Sequence, residues 1–216
     1  MRVEMATNYD FPIVGWQAAA KSLMDIGVAL TALLVFLPVF VAVPLLIKLE
    51  DPKGPVFFRQ KRYGQGGVLF DCFKFRSMYQ DKTLTGEIKL TERDDPRVMK
   101  IGNFIRRTSL DELPQFINVL KGDMSVVGPR PHPPGVKAGE RRYEDVVPGF
   151  MARYAVKPGL TWWAQVNGWR GNTFTEDDIK GRFDCDMYYI GNWSLWMDIV
   201  IVLRTLVNGF TGKNAF

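Results

Sequence analysis

Between Ile26 and Ile47 the chain reads IGVALTALLVFLPVFVAVPLLI, 22 residues without a charge. As one helix this run would be about 33 Å long, close to the thickness of a bilayer's hydrocarbon core. Fifteen of its residues are Leu, Ile, Val or Phe, and together they favour entry into lipid by roughly 5 to 9 kcal/mol. A core helix of a water-soluble protein would show a polar stripe, and this run has none. A cleaved signal sequence has a shorter apolar stretch nearer the N-terminus. The segment is expected in a membrane, and the rest of the fold must be built around it.

Its placement is less constrained. Lys48 to Gln80 holds Lys48, Lys53, Arg59, Lys61, Arg62, Lys74 and Arg76 against Glu50, Asp51 and Asp71, a net +4. Residues 1–25 carry Arg2 and Lys21 against Glu4, Asp10 and Asp25, a net −1. The positive-inside rule then puts the long C-terminal part in the cytoplasm. Pro38 falls mid-run, where it deletes a backbone hydrogen bond and crowds the Leu34 carbonyl. A full span and a kinked helix that re-enters the same side both satisfy this pattern.

The 216 residues suffice for one globular domain. Their net charge of +5 suits an anionic lipid, nucleotide or phosphate without choosing among them. The cysteines, Cys72 and Cys185, have no metal or redox spacing and are expected as reduced thiols. The single histidine, His132, has no companions for a zinc site and no G-x-S-x-G elbow for a hydrolase triad.

Past the apolar run, residues 55–80 set aromatic and β-branched residues around Gly64, Gly66 and Gly67, which predicts a strand–turn–strand hairpin. GQGG lacks the Lys-Ser/Thr and following helix of a phosphate loop. Residues 81–97 read as a polar surface loop. Helical spacing is expected over 98–107, and again where Leu110, Leu113, Phe116, Ile117 and Leu120 share a face before Gly122. GPRPHPP (128–134) predicts a rigid, extended bend. SLWMDIVIVLRTLVNGF (194–210) predicts a helix capped by Ser194. With Tyr188, Tyr189, Trp193 and Trp196 at its start, it suits either the headgroup zone or the core.

Asp111 and Glu112 stand just before Pro114. A proline fits the first helical turn, so a helix is expected to start near Ser109–Asp111, with Ser109 and Glu112 as a capping box. That is the plain reading of SLDEL. The neighbours suggest more, since Arg106 and Arg107 precede the pair and Lys121 and Arg130 follow. A helix start beside arginines is a natural phosphate site. Carboxylates there can share Mg²⁺ with phosphate oxygens, and an ionised aspartate can attack phosphorus. Which carboxylate takes which role, the residues alone leave open.

Lys21 with Asp25, KFRSM (74–78), RRTSLDELPQFINVLKGDMS (106–125), VGPRP (127–131), KPGLTWWAQVNGWRG (157–171) and FDCDMYYIGNWSLWMD (183–198) occur in that order. Together they resemble the bacterial sugar transferase family, the monotopic phosphoglycosyl transferases that begin exopolysaccharide and glycoconjugate assembly. The likeness runs from about Lys21 to Thr205. It implies an α-rich α+β fold: a small cytosolic globule over residues 51–216, continuous with an anchor over residues 1–50. The anchor would be a re-entrant membrane helix broken at Pro38, and the globule would carry a short β-hairpin and membrane-surface amphipathic helices. The implied location is the cytoplasmic face of the bacterial inner membrane.

The same resemblance implies transfer of a hexose-1-phosphate, of glucose or galactose type, from a UDP-sugar to undecaprenyl phosphate with release of UMP. Asp111 matches the nucleophile that carries the sugar phosphate covalently. Glu112 matches the Mg²⁺-binding partner, with Asp111 beside it. Arg130 and Arg107 match phosphate-contacting positions, and Lys74 and Arg76 match basic residues nearby. The implied partners are the UDP-sugar, the lipid phosphate and membrane lipids, with no nucleic acid; a homo-oligomer stays open.

Three departures stand out. Leu37-Pro38 replaces the Ser-Pro pair usual at the helix break. Trp162 stands where the usual PG-[IL]-TGWAQVNG has glycine, a costly exchange if the position needs positive φ or close ligand approach. The sequence lacks the N-terminal multi-span region of the longer relatives and resembles the short forms. A rival expectation is a membrane-anchored scaffold binding lipid or polysaccharide, in which the acidic pair merely caps a helix. A soluble metal-dependent phosphohydrolase is a third.

Overall fold

The computed structural model describes residues 13–80, 95–169, 171, 173 and 175–211, with side chains to residue 207. The apolar run forms two helices. α1 (Gly15–Val35) ends and α2 (Leu37–Glu50) begins at Phe36, whose φ of −91° and ψ of 12° leave the helical basin. Pro38 lies in the first turn of α2, where its missing N–H has no partner to lose. α1 buries only Lys21, Asp25 and Ala29, and α2 only Val43 and Ile47. Leu23, Leu34, Val35, Leu37, Val41 and Leu49 are each more than half exposed, an apolar surface that is costly in water. Among the described residues, α1 is the one helix long and apolar enough to cross a membrane by length and composition.

Both helices are tied to the globule by their ends remote from Phe36. Lys21 Nζ donates to Asp198 Oδ2 at 2.6 Å and to Val127 O at 3.1 Å. Asp25 accepts from Ser125 Oγ and Val126 N–H, both at 3.0 Å. At the other end, Glu50 accepts from the first N–H groups of α3 (Lys100–Arg107), at Lys100 and Ile101, over 2.7 and 2.9 Å. Asp51 pairs with Arg76. Charges buried like Lys21 and Asp25 persist only with such partners.

β1 (Phe57–Tyr63) and β2 (Leu69–Phe75) form the expected antiparallel hairpin, with Phe57 opposite Phe75 and Tyr63 opposite Leu69. Its turn needs φ of 66° at Gly66 and 72° at Gly67, which glycine adopts without strain. The outer edge of β2 is covered. Fully buried Asn118, on α4 (Gln115–Leu120), accepts from Phe73 N–H at 3.0 Å and donates to Asp71 O at 2.7 Å. One side-chain amide thus stands in for a third strand and fixes the hairpin against the helix.

β3 (Ser125–Val127) leads into the extended GPRPHPP bend, then to the two-residue strands β4 (Lys137–Ala138) and β5 (Arg141–Arg142) and the single-turn α5 (Tyr143–Val146). β6 (Gly159–Thr161) returns to pair in parallel with β3. Here two glycines meet: a Cβ on Gly159 would stand 2.1 Å from Gly128 N, and one on Gly128 2.3 Å from Lys157 O. The Pro129–Pro131 stretch and α6 (Trp163–Val166) therefore emerge side by side from the strands' carboxyl ends.

α7 (Glu176–Gly191) and α8 (Leu195–Thr211) close the globule. Ser194 Oγ caps α8 by accepting from Met197 N–H at 3.1 Å. The aromatic cluster divides between core and surface. Tyr189 OH and Trp193 Nε1 donate to buried Asp198 at 2.8 and 3.1 Å, whereas Trp196 is 70% exposed. The result is helix-rich with short two-stranded ladders, as the α+β expectation had it. Most of the anticipated 81–97 loop lies outside the described residues; Pro96 and Arg97 form a turn.

Candidate active site

The segment carrying the acidic pair is not the capped helix that SLDELP predicts. Ser109 sits in the left-handed region at φ 58° and its side chain caps nothing. Leu110–Glu112 form a 3-10 turn, and α4 starts only at Gln115, with Pro114 as its cap residue. Pro114 has no N–H to give the Leu110 carbonyl, so α-helical bonding cannot run through this point. Glu112 N–H and Leu113 N–H instead bond Ser109 O and Leu110 O, each at 3.2 Å. The capping box is absent, and with it the main support for the pair as a mere cap. Nor does the pair occupy a helix N-terminus; the positive field around it comes from side chains.

Lys74, projecting from β2, donates to Glu112 Oε1 at 2.6 Å and lies 3.7 Å from Asp111 Oδ2. Arg130 Nη2 reaches the same Glu112 oxygen at 3.2 Å. Asp111 is 8% exposed. Burial pushes its carboxyl above the usual aspartate range, with Lys74 opposing and the Glu112 charge adding to the rise. Burial acts upward on Glu112 too, but Lys74 and Arg130, backed by Arg62, outweigh it and hold that group well below the usual carboxylate range. Two sequence neighbours are driven apart: Glu112 stays ionised while Asp111 becomes more basic. Carboxylates split in this way mark functional sites.

The other basic residues singled out in the sequence separate. Arg106 lies close enough to Asp111 to favour its ionised form, while Arg107 is exposed, because consecutive residues of α3 point in different directions. Arg76 is engaged by Asp51 and by the carbonyls of Pro55 and Met78, so it ties α2 to β2. Arg62, which composition counts only as a charge, donates to Pro131 O at 2.8 Å and adds to the field at Glu112. No sequence signal distinguishes Arg62 from the other hairpin cations; its role comes from the bend that folds over it.

That bend delivers Arg130. Tyr63 N–H donates to His132 O at 3.0 Å, and the His132 ring meets Arg153, which pairs with Asp186 at 2.5 Å in the core. Burial, then Arg153, depress the His132 pKa and keep the ring neutral. The lone histidine is a structural residue. Trp162, at the end of β6, has φ −150° and ψ 157°, ordinary extended backbone, so tryptophan here carries none of the backbone strain feared for a glycine position. Among the described residues no three His, Cys, Asp or Glu side chains cluster as a metal cage. The Asp111–Glu112 oxygens suit a hard dication that draws its remaining ligands from phosphate and water.

The described residues thus combine a pair of exposed apolar helices with a carboxylate pair lined by Lys74 and Arg130. The chain belongs to the bacterial sugar transferase family, whose profile matches residues 16–212. It is 48% identical over 216 residues to the UDP-glucose:undecaprenyl-phosphate glucose-1-phosphate transferase of Escherichia coli K12, covering 99% of this chain and 45% of that protein. The undecaprenyl-phosphate glucose phosphotransferase of Komagataeibacter xylinus is 44% identical over 205 residues, 95% of this chain and 38% of its own length. An exopolysaccharide production protein of Rhizobium leguminosarum bv. phaseoli is 44% identical over 196 residues, 91% of this chain and 98% of its own. The chain thus spans less than half the length of the first two relatives.

Proposed function

We propose that this chain transfers a hexose-1-phosphate, glucose-1-phosphate first among candidates, from a UDP-sugar to undecaprenyl phosphate. The observation that carries the proposal is the split carboxylate pair, with Asp111 raised by burial and Glu112 held ionised by Lys74 and Arg130. The choice of substrates draws on the relatives, whose names specify UDP-glucose and undecaprenyl phosphate.

In the proposed reaction the Asp111 carboxylate attacks the β-phosphorus of the UDP-sugar. The bond from that phosphorus to the bridging oxygen breaks, UMP leaves with its electrons, and the sugar phosphate stays on Asp111. A phosphate oxygen of the lipid then attacks the same phosphorus, expelling the carboxylate and forming a polyprenyl diphosphate sugar. Burial makes Asp111 a stronger nucleophile than an exposed aspartate, and Lys74 opposes that rise by favouring the ionised carboxylate. Lys74 and Arg130 offset charge on the transferring phosphoryl group. Asp111 and Glu112 would hold Mg²⁺ together with diphosphate oxygens, and the ion supplies further charge neutralisation at phosphorus when bound.

A re-entrant anchor belongs to the same proposal. α1 and α2 are each tied to one globule at their far ends, while Leu34, Val35 and Leu37 around Phe36 are exposed. A straight span would carry one of those ends across the bilayer. At 14 residues α2 is also shorter than the ~20 a span needs. The exposed Trp196, Leu203 and Leu206 of α8 would rest on the same leaflet, on the cytoplasmic side that the charge bias selects.

The test is a UMP assay on membranes containing the protein, undecaprenyl phosphate, Mg²⁺ and a panel of UDP-sugars. Lipid-dependent UMP formation is expected with UDP-glucose. Absence of UMP with every UDP-sugar would sink the proposal, and free sugar phosphate made without lipid would replace it with a phosphohydrolase.

A further inference from the structure

Arg130 makes a single side-chain hydrogen bond among the described residues, to Glu112 Oε1 at 3.2 Å. A guanidinium with five donors and one such bond would swing among rotamers. What limits it is Trp162. The Arg130 Cζ lies 4.5 Å from the centroid of the Trp162 ring, and that ring belongs to a residue only 6% exposed. Its backbone is fixed twice, by the parallel pairing of β6 that ends at Thr161 and by the start of α6, where Gln165 N–H bonds Trp162 O at 3.1 Å. The indole is therefore a rigid platform standing beside the bend that carries Arg130.

Packing alone is a poor reason for a tryptophan in this place. Its Nε1–H is buried with no hydrogen-bond partner, which costs stability that an apolar ring of similar size would keep. The face of the ring is what the site uses. We propose that Trp162 is a positioning residue: its stack on Arg130 holds the guanidinium fork beside Glu112, poised to take a phosphate oxygen of the nucleotide sugar without first paying to order the side chain. This rests on the proposed transfer, with the diphosphate as the ligand of Arg130.

The experiment compares Trp162→Phe, Trp162→Leu, Arg130→Ala and the Arg130→Ala/Trp162→Leu double variant in detergent. Two readouts are taken: kcat/KM for UDP-glucose by UMP release, and the affinity for UDP by titration calorimetry. Phenylalanine keeps a ring face and should stay within about threefold of the parent, whereas leucine keeps apolar bulk but no π face and should weaken both readouts roughly five- to thirtyfold. In the Arg130→Ala background the leucine change should cost less than about twofold, since the stack has already lost its cation. Equal losses for Phe and Leu, or full additivity with Arg130→Ala, would overturn the proposal and leave Trp162 as packing. An unaffected Arg130→Ala variant would overturn it by removing Arg130 from the ligand. Absence of UMP formation by the parent would refute the transfer reading, while non-additive loss of UDP affinity would still uphold the positioning role.

Discussion

Lys74 Nζ lies 2.6 Å from Glu112 Oε1, a contact between a strand and a 3-10 turn that are 38 residues apart in the chain. The same ammonium stands 3.7 Å from Asp111 Oδ2, so one cation serves two adjacent carboxylates unequally. Glu112 takes the short bond and a second one from Arg130. Asp111, with the longer contact and 8% exposure, is left as the more basic of the two. The division of labour proposed for the site follows from that asymmetry.

Replacing Asp111 with Asn keeps the shape and removes the proposed nucleophile. UMP release should fall by about 10³-fold or more, and no sugar phosphate should remain on the protein after quenching with labelled UDP-sugar. Substantial turnover by Asp111→Asn would exclude it as the attacking group.

The proposed reaction requires ionised Asp111, whose pKa burial raises, so activity should be lost as pH falls through a value above the ordinary 3.8 of aspartate. Lys74 pulls that pKa down. Lys74→Met should therefore move the acid limb of the kcat/KM profile to higher pH, besides lowering its plateau by roughly 10²-fold. A plateau that drops with the acid limb unmoved would mean that Lys74 acts on the substrate alone.

Glu112→Gln leaves Asp111 and the cations in place but weakens the hard-oxygen pair. Its Mg²⁺ requirement, measured as the concentration for half-maximal rate, should rise about tenfold or more. An unchanged requirement would count against Glu112 as a metal ligand.

The Lys21–Asp198 pair joins α1 to α8 with side chains 9% and 0% exposed. Lys21→Met leaves Asp198 buried without its cation, at a cost of about 3 to 5 kcal/mol. In detergent the midpoint of thermal unfolding should fall by roughly 6 °C or more. A shift under about 2 °C would show that Tyr189 and Trp193 satisfy Asp198 by themselves.

For topology, an N-terminal tag should be reached by protease or label only from the cytoplasmic side of inverted and right-side-out vesicles. Labelling from the periplasmic side would restore a straight span in place of the re-entrant helix.

Much of this was legible in the chain. The apolar run, the Gly64–Gly67 turn, the Ser194 cap and the non-helical GPRPHPP bend all follow from local rules: hydropathy, positive φ, side-chain acceptors and proline. The helix expected over 109–120 starts only at Gln115, for an equally local reason. Proline tolerates a first helical turn, yet Ser109 turns left-handed and Pro114 stops α-helical bonding, so the pair sits on a 3-10 turn of its own. Arg107 stands next to the pair in sequence but is exposed, and Arg76, singled out by the resemblance alone, is engaged by Asp51.

Composition and periodicity by themselves pointed to a membrane segment, to helices mixed with a hairpin, and to Asp111–Glu112 among arginines as a candidate phosphate site. Only the tertiary structure decided which cations reach the pair. Asn118 sets β2 against α4 and so brings Lys74 to Glu112. The parallel β3–β6 pair and its touching glycines bring Arg130 onto Trp162. Hydropathy is summed along the chain and can be read from it. The protonation state of a buried carboxylate depends on charges a few ångströms away in space, contributed by residues far away in sequence, and these exist as neighbours only once the chain has folded.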